Sequence, residues 1–230
     1  MKVKDFINRL FQGKQNNLIF YTRGDNMYAR RYAIPGKKRK WEVEGRTPKQ
    51  RAVTTRFKAV QVFYMTFAKQ VSPEIWRIVA KAEGRYASNV FFSRNFHNFG
   101  DGGEIADFEN FTFTDGTLAL PRELKVSRET NRFTVSWQEE RAWKTTASTD
   151  KLQVGVIYDN DPRIPRLACQ VKGVRGELQG EFSLNEEIGQ DAHLYIFFSS
   201  EDNSRFSPSQ HVHVGQITPR EGLPEADTKV

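Results

Sequence analysis

His211 and His213 alternate with Val212 and Val214 in the run QHVHVG. Residues two apart on a strand point to the same face, so both imidazoles sit side by side and could ligate a metal ion. Nothing nearby in the chain supplies an obvious third ligand, and the expectation is a solvent-facing pair with no metal. Asp159 and Asp161 in YDNDP resemble part of a calcium loop but lack its glycine and terminal glutamate. An Asx turn accounts for them. Asp101 and Glu104 flank Gly102-Gly103, where a turn again suffices. Cys169, the only cysteine, permits no intramolecular disulfide. Set in LACQV, it reads as a small buried apolar side chain rather than a nucleophile.

No phosphate-cradling glycine loop, HExxH pair or GxSxG elbow occurs. No catalytic residue, cofactor or metal is assigned, and the expectation is a protein that is not an enzyme.

The one dense functional signal is basic and aromatic. Lys37, Lys38, Arg39, Lys40 and Trp41 run together, followed by Arg46, Lys49, Arg51 and Arg56. Clustered cations suit phosphates, and interleaved aromatics suit stacked bases. Tyr28 and Tyr32 lie just upstream. The net charge of +7 conceals a split: residues 1–100 hold 21 Lys+Arg and 6 Asp+Glu, against 14 and 22 in residues 101–230. Such a split suggests two modules with different surroundings, or mutual attraction between copies.

The elements that carry these residues follow from periodicity. Val3, Phe6, Ile7, Leu10 and Phe11 have helical spacing, so the basic N-terminus reads as a short docking helix rather than a signal peptide. Residues 17–33 read as a β-hairpin, with Gly24 and Asp25 at its turn. Thr47, Pro48 and Gln50 form a Thr-x-x-Gln capping box with proline at the first helical position. Val53, Phe57, Val60, Tyr64, Phe67 and Val71 then make one apolar stripe. Ser72-Pro73-Glu74 starts a second helix containing Ile75, Trp76 and Val79, and the aromatic run 85–99 a third.

Beyond DGGE at 101–104 the period becomes two: Phe133, Val135 and Trp137; Leu152, Val154 and Val156; Leu194, Ile196 and Phe198; Val212 and Val214. Turn-rich segments separate them, which predicts an antiparallel sandwich. The class is therefore α+β: a basic hairpin-and-helix module over 1–104, a β-sandwich over 105–215 and a loose polar tail over 216–230. A mean hydropathy of -0.65 and the lack of a twenty-residue apolar run predict no membrane span.

Pro121 to Val126, then Arg132 to Trp137, resemble the first two strands of a fibronectin type III or immunoglobulin-like domain. His193 to Val214 is similar to its final hairpin. The resemblance covers roughly residues 117–214 and departs at the tyrosine corner, where Leu194 or a neighbour stands. It implies a domain that binds or spaces rather than catalyses.

Phe11-Gln12-Gly13-Lys14, Asn17 to Tyr21, Arg46-Thr47-Pro48-Lys49-Gln50, Arg56-Phe57 and Trp76 together resemble a bacterial domain-of-unknown-function family. Gln15-Asn16 replace its usual Gly-Asn. The Thr-Pro-x-Gln…Arg-Phe…Trp pattern is also similar to segments of phage structural proteins. The resulting expectation is a structural or interaction protein with a protein partner or further copies of itself. Its location would be cytoplasmic or, if phage-encoded, virion-associated. The alternative is nucleic-acid binding through the basic run.

Overall fold

The computed structural model describes residues 13–23, 26–32, 45–138, 146–189 and 191–215. They form three α-helices and three antiparallel sheets, an α+β chain. The expected N-terminal helix, the Gly24-Asp25 turn, the run Lys37 to Trp41 and the tail over 216–230 lie outside the described residues. The chain divides into two compact units, Met1–Gln50 and Arg51–Val230.

In the first unit, β1 (Gly13–Gln15), β2 (Leu18–Arg23) and β3 (Asn26–Arg31) pair in that order. Leu18 faces Arg31 and Tyr21 faces Tyr28 across the expected hairpin. Asn16 has φ 53° in the tight connection between β1 and β2, a conformation that asparagine tolerates.

The second unit is layered. Helix α1 (Pro48–Gln70) opens with the expected capping box: Gln50 N–H donates to Thr47 Oγ1 (3.2 Å) and Thr47 N–H to Gln50 Oε1 (3.1 Å). Its buried residues are Val60, Phe63 and Phe67. Val53 and Phe57, expected in the same stripe, remain 50% and 43% exposed. The stripe therefore rotates toward Phe63, which follows Val60 by three and precedes Phe67 by four. Helices α2 (Glu74–Ala82) and α3 (Ala87–Asn95) follow, with Trp76 fully buried edge-on to Phe91, ring centroids 5.1 Å apart.

Two four-stranded sheets complete the unit. One has the order β4-β5-β9-β8, from β4 (Lys125–Glu129), β5 (Arg132–Ser136), β9 (Gln179–Ser183) and β8 (Cys169–Lys172). The other has the order β11-β10-β6-β7, from β11 (Gln210–Val214), β10 (Ala192–Ser199), β6 (Lys151–Tyr158) and β7 (Arg166–Leu167). The sheets share a core in which Phe133, Val135 and Phe182 meet Val154, Val156, Leu194, Ile196 and Phe198.

The opposite face of the β10-containing sheet is also covered. Ile157, Tyr195 and Phe197 join Phe111 and Phe113 in a second core with Phe63, Phe67, Trp76 and Phe91 of the helices. The helices from Arg51 onward and strands β4 to β11 thus belong to one compact unit, and the division falls after Gln50 rather than at 104/105. The cause is the central sheet, which is apolar on both faces and so needs a layer on each. Cys169 is exposed on β8, not buried as LACQV suggested, because β8 lies at the edge of its sheet.

Candidate metal centre

Three strands of the central sheet converge at one end. β6 terminates at Tyr158, and Asp159 follows directly, its N–H donating to the carbonyl of Asp191 (3.1 Å). Two residues beyond Asp191, near the start of β10, stands His193. The antiparallel register puts His193 opposite His213 and Tyr195 opposite His211. All three histidines therefore share the sheet face that carries Tyr195 and Phe197. Val212 and Val214 pack toward the inter-sheet core instead.

The register supplies the third ligand that the local sequence lacked. His213 Nε2 lies 3.3 Å from Asp159 Oδ2, and His193 Nε2 lies 3.5 Å from Asp159 Oδ1. The potential ligand atoms of Asp159, His193 and His213 all lie within 4.8 Å of one another. His193 Nδ1 is 2.8 Å from His211 Nε2, so His211 meets the other nitrogen of the His193 ring. Asp159 is thus a histidine partner rather than a turn carboxylate. Asp161 pairs with Arg166 (3.1 Å).

The covering segment fixes this arrangement. Phe108 stacks flat on His193, with ring centroids 3.8 Å apart and planes 1° from parallel. Tyr195 Oη donates to the Phe108 carbonyl (2.9 Å), which ties that segment to the sheet. His193 is mostly covered, whereas Asp159 and His213 are exposed, so the cluster opens to solvent on one side.

Burial is the main reason the His193 imidazolium is disfavoured. Asp159 opposes this, and the neighbouring histidines reinforce it, leaving a pKa of about 4. His211 is pushed down by burial and by His213, while Glu109 and Asp107 pull it upward. A neutral imidazole is the form that binds metals.

The other expected site residues are placed differently. Arg46, Lys49 and Arg51 are exposed. Arg56 is turned inward, paired with Asp101 (2.5 Å) and set over the Phe96 ring (5.4 Å). Asp101 therefore has an ion-pair role besides its turn, and Gly100 N–H closes that turn onto the Glu104 carbonyl (2.8 Å). Comparison with protein families, curated proteins and solved structures finds no match to this chain.

Proposed function

We propose that this is a non-enzymatic interaction protein built around an immunoglobulin-like sandwich. The strand orders β4-β5-β9-β8 and β11-β10-β6-β7 correspond to the A-B-E-D and G-F-C-C′ sheets of that architecture, taken in chain order. Trp137 supports the same reading. It is 5% exposed in the inter-sheet core and lies edge-on to Phe198, with its Nε1–H donating to the Arg175 carbonyl (2.9 Å).

The observation that carries the interaction role is the three-stranded sheet of the first unit. Among its described residues none is buried, and Leu18, Tyr21, Met27 and Tyr28 are each about 40% exposed. A short sheet needs a covered apolar face to be stable. Leu18, Phe20 and Met27 share one face by register, and the partner that covers it is a second copy of the chain or a larger assembly, phage particles included.

Sedimentation at low and high salt tests this reading. Self-association that persists or grows with salt fits an apolar contact. Self-association lost with salt fits attraction between the basic and acidic parts of two chains. A monomer under both conditions rejects self-association.

A second reading rests on the opposite face of the same sheet. Tyr21 and Tyr28 stack there, centroids 5.7 Å apart, and Lys14 and Arg30 share that face. The first unit holds 13 Lys+Arg against 4 Asp+Glu. Exposed aromatics among cations suit single-stranded nucleic acid. Fluorescence anisotropy with single-stranded DNA and RNA over a salt series tests it. Affinity should fall steeply with salt and drop on Tyr21→Ala or on neutralising Lys37 to Lys40. Salt-insensitive or absent binding rejects it.

A further inference from the structure

We propose that Asp159, His193 and His213 form a binding site for a divalent transition-metal ion, zinc being the best fit. The inference is independent of the interaction role above. Two imidazoles and one carboxylate are the borderline-soft nitrogen and oxygen donors that zinc prefers. Tetrahedral bonds of about 2.0–2.1 Å set neighbouring donor atoms roughly 3.4 Å apart. His213 Nε2 and His193 Nε2 lie 3.3 and 3.5 Å from the two different oxygens of Asp159. With one ligand atom taken from each residue, all three lie within 4.8 Å of one another, so a small rotation of the carboxylate and rings would close the set around one ion.

A neutral imidazole carries one ring proton, on Nδ1 or Nε2, and binding an ion through Nε2 selects the tautomer with the proton on Nδ1, with no net loss of a proton. In that tautomer His193 Nδ1–H donates to His211 Nε2, the 2.8 Å contact already present, and His211 holds its own proton on Nδ1. Metal-ligating histidines almost always donate the second ring N–H in this manner, which fixes tautomer and ring plane together. His211 is accordingly a positioning residue, and Phe108 holds the His193 ring from the other side.

Asp191, which pairs through its backbone with Asp159, has a buried carboxylate oxygen with no hydrogen-bond partner among the described residues, but it lies outside the group of converging ligand atoms and is not counted as a ligand. Three protein ligands leave a fourth position on the exposed side, for water or for a donor from a partner. The ion would join β6, β10 and β11 at the end of the sheet and so pin the edge strand β11.

The test uses tag-free, full-length protein stripped with a chelator. Zinc binding is followed by calorimetry and by thermal unfolding, and cobalt is followed by its visible absorption. The expected result is one ion per chain, a visible spectrum of tetrahedral type and a higher Tm with zinc. Asp159→Ala and His213→Ala, both at exposed positions, should abolish all three while leaving the circular dichroism unchanged. His211→Ala should weaken binding about 10- to 100-fold, the cost typical of an outer partner. His97→Ala, at the remaining histidine, should leave binding intact. Absence of saturable binding, or binding that survives His213→Ala together with Asp159→Ala, overturns the proposal.

Discussion

His193 and His213 stand directly opposite each other on β10 and β11, ring centroids 4.5 Å apart, and each directs Nε2 to a different oxygen of Asp159. One carboxylate thus links the end of β6 to two further strands. The pairing register creates this meeting point from residues far apart in the chain. The same register leaves Val212, Leu194 and Val214 to the inter-sheet core, so shifting β11 by one residue would destroy the cluster and the packing together.

The buried imidazole gives a titration prediction. In metal-free protein, His193 should titrate near pH 4 rather than near 6.5 when followed by NMR. Because the folded value is lowered, the unfolded chain takes up its proton first as the pH falls. The contribution of neutral His193 to stability is therefore complete above pH 6.5 and is lost progressively toward pH 4. Urea unfolding should show lower stability at pH 5 than at pH 7. Phe108→Ala uncovers the ring and should raise its pKa toward the ordinary value. An unchanged pKa in that variant would reject burial by Phe108 as the cause.

Gly155 offers a packing test of the helical face. A β-carbon at this position would lie 2.4 Å from ring atoms of Phe113, which fills the space between β6 and the helices. Gly155→Ala should cost about 1–3 kcal/mol, the usual penalty for overpacking a dense core. Shortening the neighbour makes room, so Gly155→Ala with Phe113→Leu should cost less than the sum of the two single changes. Chemical denaturation of all four proteins measures the coupling, and strict additivity would show that the ring is not the obstacle.

The sequence made the local devices legible and concealed the long-range ones. The capping box at Thr47–Gln50 and the β2–β3 hairpin depend on neighbouring residues and could be read directly. The layering depended on residues that the period-two reading passed over. Ile157, Tyr195 and Phe197 fill the positions between the alternating core residues, so VGVIY and LYIFF are nearly continuous apolar runs. A continuous run signals burial on both faces, and here the second face takes the helices. His211 and His213 could be paired from spacing alone. Asp159 and His193 could not be added without the register of three strands, which no local pattern encodes.

An ion pair inside the second unit gives a further measurable quantity. Asp150 is 1% exposed, accepts from Ala147 N–H (3.0 Å) and pairs with Arg175 Nε (3.2 Å). Arg175 also donates to the Ala119 carbonyl (2.7 Å) and lies over Phe198. Asp150→Ala removes a carboxylate bonded to the mostly covered Arg175 guanidinium and strands the Ala147 N–H, and should cost about 1–3 kcal/mol. Adding Arg175→Met removes that charge, so the double variant should be more stable than the sum of the single losses predicts. A double-mutant cycle by urea unfolding gives the coupling, and a value near zero would mean that the pair contributes nothing as a pair.

The segment that covers the central sheet is itself held by one buried amide. Asn95, at the end of α3 and fully buried, donates from Nδ2 to the Thr112 carbonyl (3.0 Å) and accepts from Thr112 N–H at Oδ1 (2.8 Å). The side chain thus pairs with a backbone as a neighbouring strand would, and Asn98 repeats half of the pattern on the Asn110 carbonyl (2.9 Å). These bonds satisfy the polar backbone between Phe111 and Phe113, whose rings lie in the helical core. Asn95→Ala strands a buried donor and a buried acceptor at roughly 1–3 kcal/mol each, so a total near 3 kcal/mol is expected. Asn95→Asp can still accept from Thr112 N–H but loses the donated bond and sets a carboxylate against the Thr112 carbonyl. It should be at least as destabilising at neutral pH, and partly relieved in mild acid where protonation restores a donor. Urea unfolding of both variants at pH 7 and pH 4, each referred to the unmodified protein at the same pH, checks this. Equal losses for Asn95→Asp at the two pH values would show that the donated bond is not what holds the segment.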